Sequence, residues 1–592
     1  MVQTKHFFQC PTHLVQTALN SLTLTNPSLA FDPDNKVIFR RPEVVKKGKV
    51  AIVSGGGSGH EPAFAGYVGQ GLLDASAAGT IFASPSAEQI RVAATERVNN
   101  EAGVLIIPMN YTGDVLNFGM AAEKSRASGV KTEFFAINDD VGVGKQKGGK
   151  VGRRGIGGGI FILKIVGALA EAGGSLEDVY KTAQFANANI VSVGSSLEHV
   201  HVPGRKVSDS DDHIPEGEVE VGMGIHNEPG SHRTKANLVE LVSTMLLQLL
   251  DHNDPDRAWV TRKPEDKWAL LINNLGGVST LELSGITDEV YRQLDRDYQV
   301  KPERVIQGTF LTSLNGLGFS ISLFKLADNG LGPGKSFLEL LDAPAEAVGW
   351  SAPIKPSTWE HRNSPPVDIK KAKAKEQPPS NIKLDIAQIR KVLGAGLQRI
   401  IDAEPQVTSY DTIVGDGDCG IGLKRGAEAV LQLLNDPSSN LNDDVIHTVN
   451  SIVTVVENTM DGTSGAIYAI FLNALVHGLR EQDKGSETPA NVGVWGTALK
   501  YSITALSKYT PAQPGDRTMI DALVPFAQTL ADKKDIHAAA KAANDGTEST
   551  KHMKASLGRT VYVGGEQEWL GKVPDPGAYG LSEFFNGLAG AL

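Results

Sequence analysis

Apolar residues follow two different patterns along the chain. We place a first domain at residues 1–355. From about residue 38 to 350, short continuous apolar runs alternate with segments in which apolar residues recur every three to four positions. The runs are typical of strands buried on both faces of a sheet, and the recurring pattern is typical of amphipathic helices. We predict strands at 50–53, 104–107, 133–137, 268–272 and 318–324, and helices at 87–99, 118–128 and 236–250. This order predicts a two-lobed α/β domain that divides near residue 190.

The pattern changes after residue 355. Residues 356–383 contain the paired prolines Pro365-Pro366 and Pro378-Pro379, with lysines between them and few apolar residues. A segment of this composition buries too little apolar surface to fold and is typical of an exposed linker. From 384 to 592 the apolar residues keep a helical spacing without a cluster of strands. We therefore expect a second domain that is an all-α bundle or barrel.

Charge and cysteine content narrow the class of protein. The net formal charge is −11 over 592 residues, whereas a nucleic-acid-binding domain usually presents a basic face. The two cysteines, Cys10 and Cys419, fall in different predicted domains and imply no disulfide framework, which favours a reducing compartment. We find no signal-peptide core and no continuous run of about 18 apolar residues. We expect a cytoplasmic protein that neither binds nucleic acid nor spans a membrane.

A glycine-rich segment, S-G-G-G-S-G-H-E-P at 54–62, follows the first predicted strand. Glycine lets a ligand approach the main chain closely, so a phosphate cradle is one interpretation. However, the segment ends in His60-Glu61, where a nucleotide-binding P-loop requires lysine followed by serine or threonine. A polar loop, N-Y-T-G-D at 110–114, follows the next strand, and open α/β sheets bind ligands at such positions. His60 and Asp114 could converge there, or they could be two unrelated loop residues.

A second histidine occurs in similar surroundings. His226 lies in G-M-G-I-H-N-E-P-G at 222–230, and a lone histidine is more often structural than reactive. However, His60 and His226 both lie in glycine-rich segments and are both followed closely by Glu-Pro. The repetition favours a shared functional role.

Three carboxylates fall within eight residues of the helical region, between two predicted helices. Asp411, Asp416 and Asp418 occur in D-T-I-V-G-D-G-D-C-G. Crowded carboxylates are stabilised by a cation, and hard oxygen ligands suit Mg²⁺, which completes its coordination shell with waters and phosphates. An EF-hand is excluded because its twelfth position is Gly422. The pattern favours a magnesium-nucleotide site over a solvated turn rich in Asp and Gly.

Other segments of the helical region carry weaker signals. Thr463-Ser464 and Thr518-Met519 open predicted helices, and such residues cap helices or, with free N–H groups, bind phosphate. Residues 574–577, P-D-P-G, are a turn signal. In the first domain, G-K-S at 334–336 is similar to the end of a Walker motif. We interpret it as a turn, because Asn329 stands where the motif requires its first glycine.

Together and in this order, the motifs resemble those of the single-chain, ATP-dependent dihydroxyacetone kinases of the fungal type. The resemblance covers nearly the whole chain. It is carried by the segments at 54–62, 110–114, 152–155, 222–230, 273–277, 411–420, 462–465, 515–523 and 575–578. It implies a homodimeric enzyme that phosphorylates dihydroxyacetone, and also glyceraldehyde, with ATP and Mg²⁺. It also implies that the helical domain is an eight-helix barrel.

The resemblance assigns roles to individual residues. His226 would form a hemiaminal with the substrate carbonyl. His60 would accept the proton of the hydroxyl that receives the phosphate, and Asp114 would orient or assist His60. Substrate contacts are implied for Gly57, Ser58, Gly59, His60, Asp114 and His226. Magnesium ligands are implied at Asp411, Asp416 and Asp418. Nucleotide contacts are implied for Asp416, Gly417, Asp418, Cys419, Thr463, Ser464, Thr518, Met519, Asp575, Pro576 and Gly577.

Three positions depart from the family's pattern. Met109 replaces a usual lysine, Phe64 a usual histidine and Asp461 a usual glycine. None of them removes a reacting group, so kinase activity remains the expected function. Two alternatives stay open: an FAD-AMP lyase, which would use the nucleotide domain without the hemiaminal, and a non-catalytic regulator that senses a triose.

Overall fold

The computed structural model describes residues 5–8, 10–205, 213–351, 354–362, 364, 378–460, 462–557, 559–562 and 566–592. The chain forms two compact units, Met1–Val367 and Asp368–Leu592. The predicted linker at 356–383 is described only near its ends, where Pro356–His361 forms a 3₁₀ helix and Ile382–Lys383 a short strand. Residues 363 and 365–377 of that linker lie outside the described residues.

The first unit alternates strands and helices. Its helices are α1 (Pro11–Thr25), α2 (Ala87–Glu96), α3 (Thr112–Ala127), α4 (Lys145–Gly148), α5 (Gly159–Glu171), α6 (Leu176–Ala188), α7 (Leu238–Leu250), α8 (Thr280–Tyr298) and α9 (Phe337–Asp342). Its strands are β1 (Leu29–Asp32), β2 (Val37–Arg40), β3 (Ala51–Ser58), β4 (Ala75–Ile81), β5 (Val104–Ile106), β6 (Thr132–Phe134), β7 (Ile190–Ser196), β8 (Val219–Val221), β9 (His232–Thr234), β10 (Trp268–Asn274), β11 (Arg304–Gly308) and β12 (Gly318–Lys325).

The strands form two six-stranded sheets. The first has the order β1-β2-β4-β3-β5-β6, with β4, β3, β5 and β6 parallel, and the second has the order β11-β10-β12-β7-β8-β9 and is mostly antiparallel. β7, the first strand of the second sheet in the chain, begins at Ile190. Helix α5 is buried along its length from Gly159 to Ala170 and shares a core with Ile52 of β3 and Leu271 of β10. A helix that is apolar all round requires such burial, and here it joins the two lobes.

The second unit is a ring of helices. Each long helix packs against the next in the chain, and the last one closes the ring against the first. The helices are α10 (Ile386–Val414), α11 (Cys419–Asn435), α12 (Val445–Thr459), α13 (Gly462–Arg480), α14 (Val492–Leu506), α15 (Ile520–Lys533), α16 (Ile536–Thr550), the short α17 (Glu566–Trp569) and α18 (Pro576–Ala591). Two short parallel strands, β13 (Ile382–Lys383) and β14 (Thr488–Pro489), accompany them. The predicted combination of an α/β unit and an all-α unit is confirmed.

Helix α13 is long and apolar enough to cross a membrane by length and composition alone. It packs between α12 and α14, and its Phe471 and Leu475 are buried in the core of the ring. A core helix of a helical bundle has the same composition, so this feature carries no further conclusion.

Two helix boundaries differ from the predicted ones near the functional residues. α3 begins at Thr112 rather than residue 118, so Asp114 lies in its first turn and not in a loop. α10 continues through Pro405 and ends at Val414, so Asp411 lies in its last turn and not between helices. In both cases packing against neighbouring elements outweighs the local signal at the helix end.

The G-K-S segment at 334–336, which we interpreted as a turn, begins in a turn at Gly334 and ends at Ser336, the N-cap of α9. The Ser336 hydroxyl accepts a hydrogen bond from the Glu339 main chain at 3.3 Å, and the Glu339 side chain accepts one from the Ser336 main chain at 3.0 Å. This reciprocal pair is a capping box at the start of α9.

We predict that Ser336→Ala lowers the free energy of unfolding of the first unit by about 1 kcal/mol, the usual cost of losing a cap. The KM for ATP should not change, because the segment does not bind nucleotide. Chemical denaturation and steady-state kinetics on the full chain test the two expectations. A large rise in the KM for ATP would instead support a P-loop.

Candidate active site

The glycine-rich segment is largely a strand, because β3 continues to Ser58 where the sequence predicts an end at Val53. A Cβ at Gly57 would lie 2.7 Å from the main-chain nitrogen of Ala83, so glycine is required there for close packing. Ser58 is buried and its hydroxyl donates to the carbonyl of Gly79 at 3.0 Å. Gly59 has a φ of +102°, which favours glycine. These residues shape the backbone before His60, and their contact with a substrate remains a prediction.

The structure brings His60 and His226 together from positions 166 residues apart. Their Nε2 atoms are 3.0 Å apart, and the two rings meet edge to face with centroids separated by 4.7 Å. The Nδ1 of His60 is 2.8 Å from the carbonyl oxygen of Thr312. On the opposite side, the Nδ1 of His226 is 2.9 Å from Oε1 of Glu228.

This chain of contacts fixes the positions of protons. A carbonyl and a carboxylate only accept hydrogen bonds, so both Nδ1 atoms must carry hydrogen. The contact between the Nε2 atoms needs one further hydrogen. Three ring protons are thus shared by two imidazoles, and the charge of the Glu228 carboxylate balances the additional one. Burial and the neighbouring His226 lower the pKa of His60 to about 3, so its Nε2 is the acceptor in the pair.

Glu228 orients the ring of His226, and hydrogen bonds from His226 in turn hold the Glu228 carboxylate in place. Its Oε1 accepts from the His226 ring, and its Oε2 accepts from the His226 main chain at 2.8 Å. Burial alone would raise its pKa, but these hydrogen bonds and the charge of His226 outweigh burial and lower the pKa of Glu228 to about 2. Glu228 is therefore ionised at neutral pH, and it fixes the plane of the His226 ring.

Asp114 lies in the first turn of α3 with its side chain 7% exposed. Burial raises its pKa to about 6, against opposing effects of the Ser84 hydroxyl and the charge of His226. Its Oδ1 is buried and has no hydrogen-bond partner among the described residues. A buried acceptor of this kind is suited to receive a proton from a ligand hydroxyl.

Two aromatic rings to which the sequence analysis assigned no role pack against the histidines. Phe82 stacks on His60 with centroids 5.2 Å apart and meets His226 edge to face, also at 5.2 Å. It holds this position with a φ of +60°, which is uncommon for a residue other than glycine. Tyr111 meets the His226 ring from another side at 4.8 Å. Phe82 and Tyr111 thus pack against the imidazole of His226 edge to face.

Two of the positions that depart from the family's pattern are buried. The sulfur of Met109 would lie 2.7 Å from a Cβ added at Gly155, so this side chain packs against the glycine-rich start of α5. Phe64 packs on Gly56 of β3. The third position, Asp461, lies outside the described residues.

In the second unit the three aspartates predicted as metal ligands converge. One oxygen from each of Asp411, Asp416 and Asp418 lies within 4.8 Å of the others. The carboxylate of Asp411 is anchored, because its Oδ2 accepts from the main chain of Cys419 at 3.0 Å. Three hard oxygen donors this close together fit a divalent cation such as Mg²⁺.

Cys419 lies at the centre of the predicted nucleotide contacts. Burial is the main cause that raises the pKa of its thiol to about 12, and the charges of Asp411 and Asp575 add to it. A hydrogen bond with the Ser464 side chain opposes this rise. Without a bound metal ion, the thiol is therefore neutral near pH 7. These effects show that α10, α13 and the start of α18 meet at the start of α11.

The starts of α15 and α18 also meet. A Cβ at Gly577 would lie 3.3 Å from Cβ of Met519, the residue that precedes α15. Asp575 caps α18 by accepting from the Ala578 main chain at 2.8 Å, and burial raises its pKa to about 7. Arg517 joins the two segments, because its buried guanidinium donates to the carbonyl of Val573 at 2.9 Å. Several helix N-termini thus point into one region, an arrangement suited to phosphate.

Comparison with known proteins agrees with this arrangement. A Dak1 domain matches residues 20–349, and a DAK2 domain matches residues 413–590. The dihydroxyacetone kinase of Pichia angusta is 41% identical, over 98% of this chain and 97% of the relative. The human triokinase/FMN cyclase is 35% identical, over 97% of each.

A solved structure is similar over the whole length. The dihydroxyacetone kinase of C. freundii in complex with AMP-PNP and Mg²⁺ shares 32% identity and a TM-score of 0.61, and all of both chains is covered. The family models and the full-length relatives agree with the two units and with the order of the motifs. The chain therefore belongs to the dihydroxyacetone kinase family of enzymes.

Proposed function

We propose that the protein transfers the terminal phosphoryl group of ATP to dihydroxyacetone held as a hemiaminal on His226. The observation that carries this proposal is the position of the His226 ring. Glu228 fixes its Nδ1, its Nε2 meets Nε2 of His60 at 3.0 Å, and the rings of Phe82 and Tyr111 pack beside it. An imidazole nitrogen that is oriented in this way is suited to attack a small carbonyl compound.

The capture step balances in atoms and charge. The proton on Nε2 of His226 passes, through His60, to the carbonyl oxygen of the ketone. The Nε2–carbon bond forms as the π bond of the carbonyl breaks, and the product carries a hydroxyl. The Nδ1 hydrogen remains on the ring, where the Glu228 carboxylate continues to balance the positive charge. Glycerol has no carbonyl group and is excluded from this step, whereas glyceraldehyde satisfies it.

The hydroxyl that receives the phosphoryl group must then lose its proton. His60 and Asp114 are the candidates, and the values of their pKa differ. A base works best when its pKa is near the working pH, so Asp114 at about 6 is better matched than His60 at about 3 in the free protein. We propose that Asp114 is the proton acceptor and that His60 moves protons to and from the carbonyl oxygen.

The second unit would hold the nucleotide. Asp411, Asp416 and Asp418 bring three carboxylate oxygens within 4.8 Å of one another, which supports their role as ligands of Mg²⁺. When bound, the metal neutralises charge on the phosphates, which is the main requirement of phosphoryl transfer. The starts of α11, α13, α15 and α18 would supply main-chain N–H groups to the phosphates.

The test is a coupled assay of the full chain with dihydroxyacetone, ATP and Mg²⁺. The proposal predicts turnover that requires all three and extends to glyceraldehyde. Binding of Mg-ATP without turnover on any short-chain ketose or aldose would contradict the proposal and support a triose-sensing regulator. Size-exclusion chromatography with light scattering tests the expected homodimer. Fractionation of cells tests the cytoplasmic location, which the free Cys10 and Cys419 favour.

A second candidate activity follows from the human relative, which is named as a triokinase/FMN cyclase. Release of cyclic FMN from FAD would use the metal and nucleotide groups of the second unit but not the hemiaminal. Incubation with FAD and Mn²⁺ therefore distinguishes the two activities. Release of cyclic FMN by the His226→Ala variant would support the cyclase activity. Absence of release would exclude this activity.

The pH dependence of the kinase reaction provides a further prediction. Asp114 must be ionised to accept a proton, so kcat/KM for dihydroxyacetone should fall about tenfold for each pH unit below a pKa of about 6. Asp114→Asn should lower kcat by about 10²- to 10⁴-fold and abolish this limb. A limb that stays near pH 6 in the Asp114→Asn variant would show that another group titrates.

A further inference from the structure

Arg154 lies behind the His226 segment and takes no part in the reaction as described so far. Its Nε donates to Oδ2 of Asp140 at 2.7 Å, and its Nη2 donates to the carbonyl of Gly222 at 2.7 Å. Arg154 is 12% exposed and Asp140 1% exposed. Asp140 and Arg154 precede the second sheet in the chain, whereas Gly222 opens the segment that carries His226. The arginine therefore ties the start of this segment to Asp140, which pairs with Ser192 of β7.

The remaining nitrogen of the guanidinium, Nη1, lies beside Glu228. A Cβ added at Gly224 would be 2.6 Å from Nη1 of Arg154 and 2.0 Å from Oε2 of Glu228. The two atoms thus flank the same side of this glycine. Burial opposes the effect, but the charge and hydrogen bond of Asp140, together with the charge of Glu228, raise the pKa of Arg154 above its ordinary value. The guanidinium stays charged near neutral pH, and the charge of Glu228 stabilises it.

We propose that Arg154 is a positioning residue for His226 and acts through Glu228. Both oxygens of Glu228 accept from His226, one from the ring and one from the main chain. The guanidinium lies beside this carboxylate and holds it by charge. The His226 ring is then kept in the plane that directs Nε2 at the carbonyl carbon. The inference rests on the proposed hemiaminal and adds a residue to the apparatus that forms it.

If Arg154 only braced the backbone of the His226 segment, another residue that braces this segment should behave in the same way. Lys147 is such a residue and provides the control. Lys147 donates from Nζ to the carbonyl of Gly230 at 3.0 Å, so it braces the far end of the same segment. Among the described residues, Lys147 makes no hydrogen bond or ion pair with Glu228. If bracing alone matters, loss of Lys147 should resemble loss of Arg154.

The experiment measures capture and turnover separately on the full chain. Capture is followed by ¹³C NMR with [2-¹³C]dihydroxyacetone and no ATP, since the ketone and hemiaminal carbons have distinct resonances. Turnover is followed as kcat and KM in the coupled assay. The variants are Arg154→Met, which removes the charge, Arg154→Lys, which keeps it, and Lys147→Met. A fourth variant, Gly224→Ala, inserts a methyl group between Arg154 and Glu228 without removing either.

We expect Arg154→Met to weaken the hemiaminal resonance and to raise the KM for dihydroxyacetone by about 10- to 100-fold, with a smaller change in kcat. Arg154→Lys should recover part of the hemiaminal resonance and of the affinity for dihydroxyacetone. Gly224→Ala should weaken both as Arg154→Met does, and it provides the test if Arg154→Met fails to fold. Lys147→Met should match the unsubstituted protein.

Two results would overturn the inference. One is a hemiaminal resonance and KM in Arg154→Met and Gly224→Ala equal to those of the unsubstituted protein. The other is an equal loss in Arg154→Met and Lys147→Met. If the unsubstituted protein turns over dihydroxyacetone but shows no hemiaminal resonance, the covalent part of the proposed function fails instead.

Discussion

His226→Ala should lower kcat/KM for dihydroxyacetone by at least about 100-fold, because the substrate loses both its covalent bond and its orientation. Binding of ATP should not change, since the nucleotide groups lie in the second unit. Steady-state kinetics with dihydroxyacetone, together with calorimetric titration of ATP and Mg²⁺, measure the two properties. Loss of the first with retention of the second would identify His226 as the group that captures the substrate.

The control for this substitution is His252→Ala. His252 lies in an exposed turn after α7, so its loss should leave both measurements unchanged. Full activity in His226→Ala would refute capture on this residue. An equal loss in His252→Ala would show that the effect of removing a histidine is not specific to the site.

Asp416→Asn combined with Asp418→Asn should abolish Mg²⁺-dependent turnover, with a fall in kcat/KM of more than about 100-fold. Two of the three oxygens that lie within 4.8 Å of each other would lose their charge, and a hard cation requires that charge. Capture of dihydroxyacetone in the first unit should persist. Titration of Mg²⁺ and ATP onto the double variant, together with the ¹³C signal of bound substrate, measures both expectations.

A double variant with the same change of charge provides the control. Asp532 and Asp545 are exposed and form surface ion pairs with Lys500 and Lys541 in the same unit. Their replacement by asparagine should leave turnover intact, because exposed ion pairs contribute little. Retained turnover in the double variant of Asp416 and Asp418 would show that these residues are not metal ligands.

Local patterns in the sequence were enough to predict the fold class and several of the elements that position the site. Continuous apolar runs identified buried strands such as β3 and β10, and helical spacing identified the second unit. The boundaries were less predictable. Asp114 and Asp411 both lie inside helices, because tertiary packing extends α3 and α10 beyond their local signals.

The environment of the site depends on contacts that no local pattern contains. Thr312 contacts His60 through a main-chain carbonyl, which every residue type carries, so no sequence signal marks it. Phe82 reaches both histidines only because its backbone adopts a positive φ. In the sequence, Arg154 belongs to the segment at 152–155 that resembles the family, but no pattern assigns it a role. Its position beside Glu228 depends on its contacts with Asp140 and Gly222, which are far apart in the chain.

The most direct measurement of the central claim is a competition between dihydroxyacetone and glycerol. The full chain receives equal concentrations of both with ATP and Mg²⁺, and ³¹P NMR identifies the products. Because capture requires a carbonyl group, the account predicts dihydroxyacetone phosphate and no glycerol phosphate while dihydroxyacetone remains. Formation of glycerol phosphate at a comparable rate would contradict it.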